Sequence, residues 1–78
     1  MNDLYPSLSL PAAPVAALKR GTELQTRYFC ADSLPGNRCK VVRVIQTNRG
    51  VFVRCNYGKN LGGQSLLKTM PLDALALA

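Results

Sequence analysis

The side chains able to do chemistry in this chain are few and lopsided. Ten lysines and arginines stand against four carboxylates, there is no histidine, and three cysteines sit at positions 30, 39 and 55. General acid–base catalysis therefore has no evident carriers, and Asp73 falls in a Met70-Pro71-Leu72-Asp73-Ala74-Leu75 segment where capping a turn accounts for it. The cysteines form no CxxC pair and lack the fourth ligand that a structural zinc site takes. They read as free thiols packed like small hydrophobes in a reducing cytoplasm, with one disulfide and a spare thiol as the secondary reading. What remains is cation chemistry. A net charge of +6 and a pI near 9.7 favour polyanions: nucleic acid, an acidic protein surface or anionic lipid. No cofactor is implied, and the expected protein is not an enzyme.

The element that must position these cations runs from Cys39 to Tyr57. Two runs dense in β-branched and aromatic residues flank Asn48-Arg49-Gly50, a turn signal tolerant of positive φ, so the stretch predicts a β-hairpin. A loop of two residues or of four gives one register, with Gln46 opposite Val51, Val44 opposite Val53 and Val42 opposite Cys55 on an apolar inner face. The same parity sets Arg43 against Arg54 and Ile45 against Phe52 outside. Like charges opposed across strands cost stability, and a large exposed apolar pair beside them is an anchor arrangement. The candidate binding residues are therefore Lys40, Arg43, Ile45, Arg49, Phe52 and Arg54, with Arg38 nearby. The cations would neutralise phosphates while Phe52 stacks or packs. Val42, Val44, Val51, Val53, Leu24 and Leu66 are the predicted core.

The rest of the chain is read around this hairpin. Residues 1–17 form a Pro/Ala-rich arm and 18–78 a single domain. The early segment carries no basic residue and is broken by Pro6, Pro11 and Pro14, which argues against an export signal or a membrane span. The arm is either frayed or packed, through Leu4, Tyr5, Leu8 and Leu10, on the domain or on a neighbouring subunit. One or two helical turns are expected over Pro14–Gly21, with Lys19 and Arg20 in the last turn, then a strand from Thr22 to Cys30 and a mobile loop, residues 31–38, centred on Pro35-Gly36. The glycine-rich Gly58–Gln64 segment looks superficially like a phosphate cradle but lacks the order and context of a P-loop, so it reads as a flexible connection. A short strand at Ser65–Thr69, a 3₁₀ turn from Met70 to Leu75 and an apolar end complete the chain. A chain of this size buries only roughly 60 to 65% of its unfolded surface, so self-association would help it.

This order of elements resembles the SH3-like small barrels. The features that carry the resemblance are Leu18-Lys19-Arg20-Gly21-Thr22-Glu23-Leu24 leading into the first strand, the Val42–Val53 hairpin and the closing Met70–Leu75 turn. The resemblance implies an all-β barrel of about five short strands with an N-terminal arm or helical turn and a C-terminal 3₁₀ turn. KOW and Tudor-like members bind nucleic acid or protein tails, although Tyr28, Phe29, Phe52 and Tyr57 are too dispersed to build a methyl-lysine cage. The plasmid-borne type II dihydrofolate reductases are SH3-like barrels of similar length, but where their pore carries Val-Gln-Ile-Tyr this chain reads Gln64-Ser65-Leu66-Leu67-Lys68. The expectation is a non-enzymatic basic module contacting nucleic acid or a nucleoprotein through the hairpin's outer face. The alternative is a phage- or plasmid-type accessory protein that binds an acidic host protein surface.

Overall fold

Residues 7–78 are described by a computed structural model. Leu4 and Tyr5 of the arm lie outside them. Five strands, β1 (Glu23–Thr26), β2 (Arg38–Thr47), β3 (Gly50–Lys59), β4 (Ser65–Pro71) and β5 (Leu75–Leu77), form one antiparallel sheet in the order β4-β3-β2-β1-β5. Single 3₁₀ turns stand at Val15–Ala17 and Leu72–Ala74. The all-β expectation holds, but no ladder joins β4 to β5 and the sheet is open.

The hairpin is the backbone of this sheet. Asn48 and Arg49 alone make the loop, Thr47 pairs with Gly50, and Gln46, Val44, Ile45 and Arg43 meet Val51, Val53, Phe52 and Arg54 as predicted. The positive φ falls on Gly50, at 129°, rather than on Asn48 or Arg49. Thr47 steadies the turn from the side: its Oγ1 accepts from the Arg49 amide at 3.1 Å and donates to the Gly50 carbonyl at 3.2 Å.

Below Arg43 the predicted register fails. Cys55 faces Val41, not Val42, because the ladder shifts between Val41 and Arg43 and leaves Val42 as the extra residue of a β-bulge. Val41 is accordingly buried and Val42 only half-buried. Val51, next to the turn, is only half-buried and lies outside the core cluster, and Leu66 is misplaced as well. It stands beside a second register shift in β3–β4, on an edge strand, and is 40% exposed. The core is built instead from Leu24, Val41, Val53, Met70, Leu75, Ala74, Cys39 and Cys55, with Leu18 and Ala13 brought in from the N-terminal side and Val44 packed at its margin.

Strand β1 stops at Thr26, four residues short of expectation, because the Arg27 backbone is used elsewhere. Its amide donates to Ala74 O at 2.7 Å and its carbonyl accepts from Leu8 at 2.7 Å. The chain between β1 and β2 is knit by two tight turns. Ala31 and Asp32, both with positive φ, make one between the bonded Cys30 and Ser33, and Leu34-Pro35-Gly36-Asn37 makes the other, closed by the Asn37 amide on Leu34 O at 3.1 Å. The arm packs on the sheet: Ala13 donates to Leu75 O at 2.8 Å, and the Arg27 Nε donates to Leu10 O at 2.7 Å. The first 3₁₀ turn ends at Ala17, so Lys19 and Arg20 lie beyond it rather than in its last turn.

Candidate functional site

Strand alternation sends one set of side chains into the core and lays the other across the opposite face in rows. One row runs Arg43, Arg54, Thr69 over β2, β3 and β4; the next, toward the hairpin tip, runs Ile45, Phe52, Pro71. On the far side of the bulge lies a third, Glu23, Lys40, Asn56, Leu67. The face thus carries a cationic row beside an apolar one. Lys40, Arg43 and Arg49 are exposed, while Ile45, Phe52 and Arg54 are half-buried, so the apolar pair is less open than expected. Neighbouring strands, about 4.8 Å apart, force Arg43 and Arg54 together. Arg54 relieves part of this by turning toward β4, where its Nη1 donates to Thr69 Oγ1 at 3.0 Å.

None of Lys40, Arg43, Arg49 and Arg54 has a carboxylate partner among the described residues. The ion pairs there are Arg27 with Asp73 at 3.2 Å and the loose, exposed Arg38 with Glu23 at 4.0 Å. Two shallow depressions bound the face. At the tip, one of about 400 Å³ is lined by Arg49, Gly50, Phe52, Pro71, Leu72 and Asp73 among others. At the opposite end, one of about 350 Å³ gathers Arg38, Lys40 and Lys59, together with the carboxylate of Glu23, around Asn56 and Tyr57. Lys59 was missed in the sequence because the glycines around it suggested a loop, whereas β3 continues through it.

The glycine-rich connection offers little to a phosphate. Asn60 Oδ1 already accepts the amides of Gly62 at 2.9 Å and Gln64 at 3.0 Å, and Asn56 Oδ1 takes that of Gly58 at 2.8 Å. Comparison with protein-family models, curated proteins and solved structures finds no match.

Two polar clusters that sequence reasoning did not find hold the scaffold behind this face. Asp73 does not cap its turn. Its carboxylate pairs with Arg27 and accepts from Tyr28 Oη at 3.1 Å, tying the second 3₁₀ turn to the end of β1. Burial and then that hydrogen bond raise the Tyr28 pKa. On the core side, Thr26 Oγ1 and Tyr57 Oη lie 2.7 Å apart, and Lys68 donates to Ala31 O at 2.9 Å and Ser33 Oγ at 3.1 Å with its ammonium 5.4 Å from the centre of the Tyr57 ring. Lys68 thereby fastens β4 to the β1–β2 connection where no ladder does. Burial pushes the Tyr57 hydroxyl well above its ordinary pKa.

The cysteines are all free, with Cys39 and Cys55 buried and Cys30 half-buried. Hydrogen bonding to Cys39, then burial, holds the Cys55 thiol above its usual range, while the same contact lowers Cys39 against the opposing push of burial. Among the described residues no group of three or more His, Cys, Asp or Glu side chains converges, and no helix is long and apolar enough to cross a membrane.

Proposed function

We propose that this protein is a non-enzymatic basic binding module that contacts nucleic acid, alone or within a nucleoprotein, through the outer face of its β2–β3 hairpin. The observation that carries the proposal is the set of Lys40, Arg43, Arg49 and Arg54, unpaired with carboxylates among the described residues, flanking the Ile45-Phe52-Pro71 row. Guanidinium groups beside a part-open aromatic ring suit phosphate neutralisation with stacking of an unpaired base, and need no groove-reading helix. Phe52 and Pro71 in the tip depression are the stacking platform, with Arg49 at its rim. Arg38, Lys40 and Lys59 form the opposite end of the phosphate track.

The SH3-like assignment belongs with this reading. It is supported by the five-strand antiparallel order and by the 3₁₀ turn that precedes the last strand, although the ladder is open between β4 and β5. The deciding experiment measures binding to labelled single-stranded RNA, single-stranded DNA and duplex DNA at two salt concentrations, with the Arg43→Ala/Arg54→Ala variant alongside. Salt-sensitive binding to a single strand that is lost in the variant is expected. Absence of binding at low salt overturns the proposal and directs the search to an acidic protein partner, which the Ile45–Phe52 pair would hold with weak salt dependence.

A further inference from the structure

A third depression, of about 340 Å³, opens between the β1–β2 connection and β4. It is the size of a small-ligand site and has the usual make-up of one, an apolar wall with a few converging polar groups. Leu66, 40% exposed, is the wall. Lys68 enters from β4 with two of its three protons given to Ala31 O at 2.9 Å and Ser33 Oγ at 3.1 Å, which fixes the ammonium and leaves it one donor. Asp32 and Asn37 line the same depression, and neither side chain has a hydrogen-bond partner among the described residues. The Asp32 carboxylate stands without an ion pair although Arg38 and Lys68 share the depression with it. Its position is set by the backbone, at a φ of 61° where glycine would cost less.

Arg38 and Tyr57 also line the basic depression in which three cations outweigh Glu23, so the two depressions adjoin. A ligand filling both has an anionic end and a neutral end that donates and accepts hydrogen bonds. We infer that the third depression takes a guanine base, with the phosphate of the same nucleotide held by Arg38, Lys40 and Lys59 in the basic one. The carboxylate selects the base. Guanine presents two adjacent donors, N1–H and N2–H, that a carboxylate accepts side by side, and next to them the O6 acceptor for an ammonium. Adenine and cytosine offer a single amino group beside an acceptor, and uracil one N–H between two carbonyls. Asp32 supplies the paired acceptors, Lys68 the donor to O6, and Leu66 packs against the base. The guanine can belong to a single strand or to a free nucleotide. The first source rests on the nucleic-acid reading above; the pocket itself does not.

The test has two arms. In the first, labelled short uridine strands carrying one central guanosine, adenosine, cytidine or inosine are bound to the wild type and to Asp32→Asn, with circular dichroism to confirm that the variant is folded. A preference of about tenfold for guanosine over adenosine or cytidine is expected, smaller for inosine, which lacks the N2 amine, and absent in Asp32→Asn. In the second, guanosine monophosphate is titrated to about 10 mM with adenosine monophosphate as the control, following the amide resonances of Asp32, Ser33, Asn37, Arg38 and Tyr57. Shifts specific to the guanosine nucleotide and lost in Asp32→Asn place a free nucleotide in the pocket; a preference among strands without such shifts assigns it to strand-borne guanine. If no strand binds at low salt but the shifts appear, the pocket stands and the hairpin-face reading falls. Strands bound equally, together with no specific shifts, overturn the pocket and leave the hairpin face standing. A guanine preference that survives in Asp32→Asn overturns the proposal as well.

Discussion

Val41 and Val42 are neighbours of one type, and strict alternation from the turn assigns the core position to the wrong one. The bulge moves the inward position back by one residue, so the same substitution has unequal effects. Val41→Asp places an unpaired charge in the core and is expected to unfold the protein. Val42→Asp, at a half-buried bulge position, is expected to cost about 1 kcal/mol; thermal melts of the two separate the outcomes. At Tyr57 the expected signature is a pH dependence. The native state holds the phenolic proton above the ordinary value near 10, which the unfolded chain does not. The stability this supplies is fully present below about pH 10 and is lost as pH rises beyond it, with Tyr28 adding in the same direction. Tyr57→Phe should cost about 1 kcal/mol at neutral pH through the lost Thr26 partner, and should flatten the alkaline fall in denaturation midpoints.

At the scale of elements, the β1–β2 connection stores strain. Ala31 and Asp32 take φ of 50° and 61° in a two-residue turn closed by the Cys30 and Ser33 backbones, a geometry that Asn-Gly adopts at lower cost. The Ala31→Asn/Asp32→Gly variant is therefore expected to be more stable by about 1 kcal/mol in urea unfolding. An unchanged or lowered midpoint would show that the turn is held by contacts these side chains make. The element also explains why β4 stays in place despite having one ladder. Lys68 reaches the Ala31 carbonyl and Ser33 across the gap, so the turn serves as an anchor for β4 as well as a connection.

For the whole molecule the governing quantity is a charge of +6 distributed unevenly over a small sheet. If Lys40, Arg43, Arg49 and Arg54 each neutralise one phosphate of a single strand, the logarithm of affinity should fall with the logarithm of salt with a slope of about −3. Removing Arg43 and Arg54 together should reduce that slope by about 1.4. Titrations at several salt concentrations read both numbers, and a slope near zero in the wild type would count against phosphate contacts.

Much of the arrangement was legible along the chain because it is local. The hairpin register from Gln46 to Arg54 follows from a tight turn and period-two alternation, and the closing 3₁₀ turn from Pro71. These set the Arg43–Arg54 and Ile45–Phe52 pairs on one face before any tertiary contact is considered. Tertiary structure decided what depends on partners distant in sequence. The bulge at Val42 arises where β2 must meet both β1 and β3 in register, as Cys39 pairs with Leu24 and Val41 with Cys55. Strand β1 ends where Arg27 is claimed by Ala74 and Leu8, and Asp73 is drawn away from capping by Arg27 and Tyr28. Leu66 is left outside because an edge strand has a neighbour on one side only. Alternation along a strand records which way a side chain points; only the packed sheet determines whether anything stands there to cover it.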